Sequence, residues 1–599
     1  MSMSRPDTAA YAIEVRALSK SYGGKLVIED LSFVVEPGTV TGFLGPNGSG
    51  KSTTMRLIVG LDRPSAGTAL IGGVEYAQLH RPLLTVGTLL DSEAVHPGRT
   101  AYDHLLYLAQ TQRIPVTRII DVLELVGLCD VSGERAGSFS LGMRKRLGIA
   151  AALLGDPAVL ILDEPINGLD PDGIYWMRNL MKNLAGEGRT VFVSSHLMGE
   201  MAQTADHLVV IDHGKLIAEC TPAELIARSS RASVLVSSSD SARLATAIEA
   251  TGGTAVALDD DRLTVSDLSA HRVGELAQQQ NIAIYQLTPQ QASLEEAFMT
   301  LTHLDDIEHD RHLVTHSLTR TGDTMSITAP APLERERLRM DVPGLLASEW
   351  TKLRSLRSTV WSLVALVVVT LGFTGLFTWF TVAYWDRVDP VSQSQIVADP
   401  ARQILGAGFQ LGQLAVCVLG VLVVTSEYAS GTIRASLLAV PARIPVLAAK
   451  TGVFMAVVLV IGEITAFPTF FLGSAIMDSR ASVSLTDPGV LRAVIGAGLY
   501  LALLGAMAVA VGAIVRHTAG AITGVIGFVL VLAPLTQLIP GTVGRHIQAY
   551  LPSQAGSLIA SPRQAPSDLL TPWQGFGVAA LWTVLLLALA AYLLRRRDA

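Results

Sequence analysis

The pattern of apolar and polar positions divides the chain into two halves. Up to about residue 340, charged and apolar residues are mixed, and short apolar runs alternate with helical patterns. Four of these runs are typical of buried strands: Val40–Leu44, Val159–Leu162, Val191–Val193 and Leu208–Ile211. Strands that alternate with helices favour a mostly parallel sheet with helices on its faces. We therefore predict an α/β domain over residues 1–228.

A smaller pattern of the same kind follows this domain. Apolar runs at Val234–Val236, Ala255–Leu258 and Leu263–Val265 predict strands, with helical stretches around them. We interpret residues 229–304 as a small α+β accessory domain. Residues 305–343 are rich in charge, Thr, His and Pro and have no apolar period, which predicts a linker.

Beyond residue 343 the sequence becomes mostly apolar, and six apolar segments reach the length needed to cross a bilayer as helices. We therefore assign residues 344–599 to an all-α transmembrane domain. A tight hairpin is expected between the fourth and fifth segments, because only Arg516 and His517 separate them. The six segments lie near 358–382, 404–426, 451–477, 493–515, 518–540 and 574–594.

The distribution of charged residues indicates how these segments cross the membrane, and the net charge bears on which partners the protein binds. With the N-terminus in the cytosol, the inner flanks carry ten Lys and Arg residues and the outer loops six. This bias predicts a multi-pass protein of the cytoplasmic membrane with both termini inside. We expect no cleaved signal peptide, since Met1 to Glu14 lacks a basic region followed by an apolar core. The net charge of -7 and the lack of a basic stripe argue against a nucleic-acid partner.

A phosphate-binding loop is the clearest chemical motif in the chain. Gly45–Thr53 matches G-x-x-x-x-G-K-[ST], with an apolar strand before it and a helical pattern after it. Glycines let backbone N–H groups turn toward phosphate oxygens, and the helix N-terminus adds partial positive charge. Lys51 would reach the β- and γ-phosphates, and the Ser52 hydroxyl would bind Mg²⁺. The predicted nucleotide-binding residues here are Asn47, Gly48, Ser49, Gly50, Lys51, Ser52 and Thr53.

Two adjacent acids follow a second buried strand. The run Val159–Leu162 ends in Asp163 and Glu164. A carboxylate suits a hard cation such as Mg²⁺, so Asp163 is the predicted metal ligand. Glu164 is then placed to polarise the attacking water.

Together these motifs resemble the nucleotide-binding domain of ABC transporters. Ser140 and Gly142 match the family's signature, usually L-S-G-G-Q, whereas Phe139, Leu141 and Met143 depart from it. The resemblance implies that Ser140 and Gly142 contact γ-phosphate in the opposite protomer. It also implies roles for three further residues: Asp170 in the D-loop, His196 as the switch histidine beside the catalytic Glu164 and Lys51, and Tyr22 stacked on adenine.

The family's usual glutamine between the P-loop and the signature is missing. The best placement puts Asp91 in this position, where an acid could hold Mg²⁺ or water and contact the coupling region. Glu93 is the alternative. One P-loop and one signature make half of each ATP site, so the resemblance implies a homodimer; a heteromeric partner is the alternative.

The C-terminal half resembles the six-span permease of antibiotic and lipid exporters. The resemblance rests on the basic segment Glu349–Ser358 before the first span and on Ser426–Arg434 between spans two and three. We expect the first of these segments to be amphipathic, with Trp350 and Leu353 on one side and the bases on the other. In such exporters the first cytoplasmic loop docks on the ATPase, which makes Glu427 and Arg434 candidate coupling residues.

Glu463 lies inside the third span. An intramembrane acid marks a site for a cationic substrate or a proton, or else makes a structural hydrogen bond to a neighbouring helix. Both interpretations stay open.

The sequence therefore predicts an ATP-hydrolysing, Mg²⁺-dependent exporter that moves a hydrophobic or amphipathic drug, antibiotic, peptide or lipid out of the cytoplasm as a homodimer. One alternative is a membrane-bound ABC ATPase that senses or signals without transport; another is a lipid or glycan exporter. Sequence does not choose among the cargoes, because the cavity between the spans decides them.

Overall fold

The computed structural model divides the chain into two compact units. The first unit comprises Met1–Leu79, Thr85–Leu90 and Pro157–Glu336, and the second comprises His80–Leu84, Asp91–Asp156 and Arg337–Ala599. The predicted linker falls almost entirely outside the described residues, as does Glu93. The residues that the structure describes are 11–91, 94–229, 233–259, 261–290, 294–295, 297–299, 341–536, 538–539, 542–565 and 568–598.

Two sheets build the N-terminal part of the first unit. The larger has six strands in the order β5-β6-β7-β3-β8-β9, parallel except for β9, and the smaller is antiparallel in the order β2-β1-β4. The four strands predicted as buried are β3, β6, β7 and β8, so the predicted fold class is confirmed. The strands are β1 (Ile13–Tyr22), β2 (Lys25–Val35), β3 (Val40–Leu44), β4 (Ala66–Ile71), β5 (Val86–Leu89), β6 (Val159–Asp163), β7 (Thr190–Ser195), β8 (His207–Asp212) and β9 (Lys215–Cys220).

The central strands are apolar on both faces because both faces are covered. Every residue of β3 and β7 is buried, as a parallel sheet between two layers requires. Phe33, Phe43 and Phe192 pack with ring centroids 5.1–5.6 Å apart and join the two sheets. This rigid centre fixes the carboxyl ends of β3, β6 and β7, where the chemical motifs follow.

The accessory region forms an antiparallel sheet in the order β11-β12-β10-β13. Its strands are β10 (Ser233–Ser238), β11 (Thr254–Asp259), β12 (Arg262–Ser266) and β13 (Ile284–Gln290). With one helix after β10 and one after β12, the element order is the β-α-β-β-α-β of ferredoxin-like domains. The predicted α+β class is correct, although the sequence analysis missed β13.

Besides the helical residues 294–295 and 297–299, ten α-helices accompany these strands among the described residues up to 299. Three of them, α3 to α5, lie in the second unit with residues 91–156. They are α1 (Lys51–Ile58), α2 (Pro82–Thr85), α3 (Ala101–Thr111), α4 (Thr117–Leu125), α5 (Leu141–Leu153), α6 (Pro171–Gly186), α7 (Met198–Thr204), α8 (Pro222–Ser229), α9 (Ser241–Ala250) and α10 (Ala270–Gln279).

The second unit contains, within its described residues, six helices long and apolar enough to span a membrane. They coincide with the six predicted segments. A helix over Val342–Arg354, called the pre-span helix below, precedes them, and a short helix over Thr432–Ala439 joins the second to the third. The spans are span 1 (Arg357–Ala383), span 2 (Pro400–Ala429), span 3 (Arg443–Met477), span 4 (Val490–Val515), span 5 (Thr518–Thr536) and span 6 (Pro572–Arg596). Shorter helices occupy Pro390–Ala398, Thr542–Ala549 and Pro552–Ser557.

The predicted hairpin between spans 4 and 5 is made by the two residues that separate them. Arg516 ends span 4 with a left-handed backbone (φ 60°), which turns the chain sharply. His517 then begins span 5, because its Nδ1 accepts a hydrogen bond from the Gly520 N–H at 3.3 Å. Span 5 itself contains a π-helical turn over Gly527–Val531.

Candidate nucleotide site and coupling region

The loop between β3 and α1 has the backbone of a phosphate cradle. Gly48 and Gly50 have φ of 86° and 106°, a region that residues with a Cβ rarely adopt. A Cβ at Gly45 would lie 2.4 Å from the carbonyl oxygen of Ile211. Lys51 begins α1, and the first turn continues with Ser52 and two threonines. The Ser49 N–H donates to the Pro46 carbonyl at 3.2 Å and closes the loop, and the N-terminus of α1 follows directly, an arrangement that suits an anion.

The side chain of Lys51 folds back over this loop. Its ammonium donates to the carbonyl oxygens of Gly45, at 2.6 Å, and Pro46, at 3.0 Å. Burial lowers the pKa of Lys51, while the charges of Glu164 and Asp163 act in the opposite direction. The ammonium thus shares one site with the two acids that follow β6, as the sequence predicts.

A serine that sequence analysis did not single out organises these acids. Ser194, at the end of β7, donates a hydrogen bond to Asp163 Oδ1. The same hydroxyl accepts one from the Glu164 N–H at 3.0 Å. Glu164 has φ 47°, so its backbone leaves the strand direction at this residue. Ser194 therefore fixes the metal-binding candidate and the catalytic candidate to each other.

The Glu164 carboxylate lies between two polar side chains. Asn167 donates to its Oε2, and His196 Nδ1 lies 3.2 Å from its Oε1. Asn167 Nδ2 and His196 Nδ1 are also within 3.4 Å of each other. A carboxylate held by an amide and an imidazole has a fixed orientation, which a general base needs. Asn167 is the second residue of this site whose part the sequence did not show.

Tyr22 has a hydroxyl anchored in the protein and a ring that is 40% exposed. The hydroxyl donates to Asp62 Oδ2 at 2.7 Å, and Lys20 lies over the ring at 4.6 Å from its centroid. Burial opposes ionisation of Asp62, but hydrogen bonds from Arg56 and Tyr22 outweigh it and lower the pKa of Asp62. Part of the ring therefore reaches the surface, where a flat base would have to stack on it.

Asp170 and Ser140 both cap helices in this structure. Asp170 Oδ1 accepts from the Gly173 N–H at 3.0 Å at the start of α6. Ser140 Oγ accepts from the Met143 N–H at 3.2 Å at the start of α5, in the second unit. Gly142 lies in the first turn of α5. Each cap orients a helix N-terminus, the element that the family resemblance assigns to nucleotide contact.

Asp91 and Arg434, predicted separately as a nucleotide-site residue and a coupling residue, contact each other within the second unit. Arg434 Nη1 donates to Asp91 Oδ2 at 2.7 Å. Arg434 lies in the helix Thr432–Ala439, which begins after Gly431 with φ 69°. A Cβ at Gly431 would lie 3.3 Å from Asp91 Oδ2. This close approach brings the loop between spans 2 and 3 against the segment that follows β5.

Further hydrogen bonds connect residues 91–156 to the membrane half of the second unit. Gln110 Oε1 accepts from Thr351 at 2.8 Å, and Gln112 Nε2 donates to the Ala439 carbonyl at 2.6 Å. Arg113 forms a bidentate pair with Asp341 at 2.6 Å. The sequence offered no signal for these residues, because each is a common helix-end polar residue. Together they make residues 91–156 a firmly attached part of the second unit.

Glu427, the other predicted coupling residue, lies in a buried cluster of charges. Its Oε1 is 2.7 Å from Lys450 Nζ and 3.5 Å from Lys352 Nζ. Glu349 lies 2.6 Å from Lys352 and 2.7 Å from Lys450. All four side chains are at most 5% exposed. Lys352, one of the bases predicted on the polar side of the pre-span helix, is therefore buried, because two carboxylates balance its charge inside the protein.

The same helix departs from the predicted amphipathic pattern at a second residue. Trp350 and Leu353 were expected on the same side of the helix, but Trp350 is 49% exposed whereas Leu353 is buried. The burial of Lys352 turns the opposite face of the helix inward, so that the indole faces out.

Glu463 lies in span 3 against Gly498 of span 4, where an added Cβ would be 2.2 Å from Glu463 Oε1. In the part of the chain that the structure describes, neither carboxylate oxygen of this residue has a hydrogen-bond partner. The structural hydrogen bond left open by the sequence is thus not seen among those residues.

Comparison with known proteins matches the two halves of the chain to two different family models. The family model "ABC transporter" matches residues 28–167, and "ABC-2 family transporter protein" matches residues 270–599. A domain model of unknown function matches residues 232–295, the accessory sheet. The membrane match begins well before residue 344, where the transmembrane domain was predicted to start.

Several characterised or named relatives match the ATP-binding half of the chain. The chain is 43% identical over 211 residues to the uncharacterized ABC transporter ATP-binding protein YhcH of Bacillus subtilis, covering 34% of this chain and 68% of the relative. It is 42% identical over 210 residues to the bacitracin transport ATP-binding protein BcrA of Bacillus licheniformis, covering 35% of this chain and 69% of the relative. It is 35% identical over 207 residues to the lantibiotic transport ATP-binding protein SrtF of Streptococcus pyogenes, covering 35% of this chain and 90% of the relative.

The P-loop site and the six apolar helices define a multi-pass membrane protein that binds and hydrolyses ATP to drive transport. The chain belongs to the ABC transporters, as an ATP-binding domain fused to an ABC-2 type membrane domain.

Proposed function

We propose that this chain is half of an exporter, in which two copies use ATP hydrolysis to move a hydrophobic or amphipathic compound out of the cytoplasm. The observation that carries the proposal is the ion pair between Asp91 and Arg434. It joins the segment that directly follows β5 to the loop between two membrane helices. Such a contact is what an ATP-driven movement needs to reach the spans.

The residues of the first unit fit ATP with Mg²⁺. The glycine loop and the start of α1 would bind the phosphates, Lys51 would neutralise their charge, and Ser52 with Asp163 would hold the metal ion. Mg²⁺, when bound, would offset the charge that develops on the transferred phosphoryl group. Glu164, oriented by Asn167 and His196, would accept the proton of the attacking water.

The chain carries one P-loop and one signature segment, and this supports a homodimer. Ser140 and Gly142 would complete the site of the partner copy, with Asp170 near the same junction. We propose that both termini lie in the cytosol and that the protein resides in the cytoplasmic membrane, because the positive charges favour the inner flanks. ATP binding would close the dimer, and hydrolysis would reset it.

The cargo is proposed from two considerations. Relatives named for bacitracin and lantibiotic transport suggest a peptide antibiotic. Glu463 is a carboxylate inside span 3 with no hydrogen-bond partner among the described residues, which suits a cationic group on the cargo or a proton. Bacitracin is therefore the first compound to test.

The test is ATP-dependent uptake of bacitracin into inside-out proteoliposomes, together with ATP turnover. We expect Glu164→Gln to bind ATP as the wild type does but to lose turnover and uptake, because the general base is gone. Glu249→Gln, the same change on the exposed side of α9, is the matched control and should keep both activities. Normal hydrolysis by Glu164→Gln would disprove the catalytic assignment. Turnover without transport of any compound in an antibiotic and lipid panel would favour a sensor instead.

A further inference from the structure

A small cavity lined by both charged and apolar side chains lies beside the buried charge cluster of the second unit. It has a volume of about 110 Å³, and its lining includes Arg99, Glu349, Lys352, Glu427 and Lys450. A volume of this size exceeds what a single water molecule needs, so the cavity has room for a larger polar group. The cavity lies where the N-terminal end of span 1 meets the C-terminal end of span 2.

Arg99 is the cation of this cavity that has an unpartnered donor among the described residues. It is only 1% exposed, and its guanidinium lies over the Tyr107 ring at 4.8 Å from the centroid. Its Nε donates to Ser355 at 3.2 Å, but its Nη1 has no hydrogen-bond partner among the described residues. A buried, incompletely bonded cation is costly, so an anionic ligand at this position would stabilise it.

The charge balance of the cavity also favours an anion. Glu349 and Glu427 offset two of the three cations Arg99, Lys352 and Lys450, which leaves one positive charge in excess. His96 also lines the cavity. Burial, followed by the charge of Arg99, lowers the pKa of His96 to about 4, so the imidazole stays neutral at pH 7. One Glu427 oxygen has no partner in the described part of the chain, but the two lysines beside this carboxylate already offset its charge.

An apolar groove continues from the cavity along spans 1 and 2. Its volume is about 340 Å³, and it shares Ser362, Leu419 and Leu422 with the cavity lining. It extends along span 1 to Thr370, about 12 Å at the rise of an α-helix. A positively charged cavity at the end of an apolar groove matches a ligand with an anionic head and a hydrocarbon tail.

We propose that this cavity and groove form a binding site for an anionic phospholipid of the bilayer, with the lipid phosphate at Arg99 and one acyl chain between spans 1 and 2. Arg99 belongs to residues 91–156, so the lipid would bridge this segment and the membrane helices. The site does not depend on which cargo is transported or on the direction of transport.

The experiment measures lipid retained by the purified full chain in detergent, using native mass spectrometry with phosphatidylglycerol and phosphatidylcholine as probes. We expect the wild type to prefer phosphatidylglycerol by roughly tenfold, because both lipids bring a phosphate but only phosphatidylcholine adds a quaternary ammonium, which the excess positive charge of the cavity repels. Arg99→Gln should abolish this preference, and Arg99→Lys should keep part of it because the charge remains.

A second pair of variants tests the groove without touching the buried charges. Ala365 is exposed and lines the groove, so Ala365→Phe should fill the groove and lower retention of both lipids. Val368, 62% exposed on the same helix but outside the groove lining, gives the matched control Val368→Phe, which should bind as the wild type does. Equal retention of the two lipids by the wild type, or a preference that survives Arg99→Gln, would overturn the proposal. If Arg99→Gln does not fold, equal lipid retention by Ala365→Phe and Val368→Phe would overturn the proposal as well.

Discussion

The buried charge cluster allows a quantitative comparison of two glutamates in membrane helices. Glu427 is 5% exposed, and its Oε1 contacts Lys450 at 2.7 Å and Lys352 at 3.5 Å. Glu427→Gln removes one of two negative charges, so the excess among the five charged groups rises from one positive charge to two. Breaking a buried pair by removing one partner costs about 3–5 kcal/mol, because the remaining charge stays buried without compensation. We expect Glu427→Gln to destabilise the protein by about this amount.

Glu463→Gln is the matched control for this substitution. It makes the same chemical change in the neighbouring span, at a carboxylate without a hydrogen-bond partner in the described ranges. No ion pair is lost there, so we expect a change within about 0.5 kcal/mol, as for substitutions away from specific interactions. The assay is equilibrium unfolding of each purified variant in mixed micelles, followed by intrinsic fluorescence.

A third variant separates lost pairing from a general effect of the substitution. In the double variant Glu427→Gln with Lys450→Met, both partners are neutral, so the total cost should be smaller than the sum of the two single costs. Additive costs would refute the reasoning, since they would mean that the two groups do not interact. A Glu427→Gln variant as stable as the wild type would also refute the reasoning.

Two further predictions concern residues 91–156. Asp91→Arg and Arg434→Asp should each raise ATP turnover relative to transport, because each leaves like charges facing one another. The double variant with both exchanges restores the ion pair and should restore the wild-type ratio of turnover to transport. A double variant whose ratio is no closer to the wild type than that of either single variant would contradict the ion pair's role. His104 is buried, and burial followed by the charge of Arg99 lowers its pKa to about 3 from the usual 6.5. The folded state therefore disfavours protonation, so its contribution to stability is complete above pH 6.5 and is lost as the pH falls toward 3. In His104→Gln the melting temperature should fall less steeply between pH 6.5 and 4; an unchanged slope would contradict this assignment.

The parts of the molecule that sequence predicted well are those defined by local patterns. The P-loop is one continuous segment with fixed glycine positions, and each membrane helix is a continuous apolar run. Both follow from short-range chemistry, and the bounds of the six membrane helices agree with the predicted segments within eight residues. The α/β class follows in the same way from the buried strands β3, β6, β7 and β8.

The contacts that sequence did not predict join residues far apart in the chain. Ser194 is one position in a buried strand, and nothing local shows that its hydroxyl links Asp163 to Glu164. Lys352 follows the pattern of a basic membrane flank, and only the acids at 349 and 427 explain its burial. The period of apolar residues along a helix or strand indicates whether a side chain faces inward or outward, but it does not indicate which charged side chain it contacts.

These long-range contacts decide how ATP-driven movement would reach the membrane. Residues 91–156 are tied to the membrane helices of the second unit by the Asp91–Arg434 and Arg113–Asp341 ion pairs and by hydrogen bonds from Gln110 and Gln112. Each exposed pair contributes little alone, about 1 kcal/mol or less, but the attachments act on one segment together. That segment should therefore move with the spans.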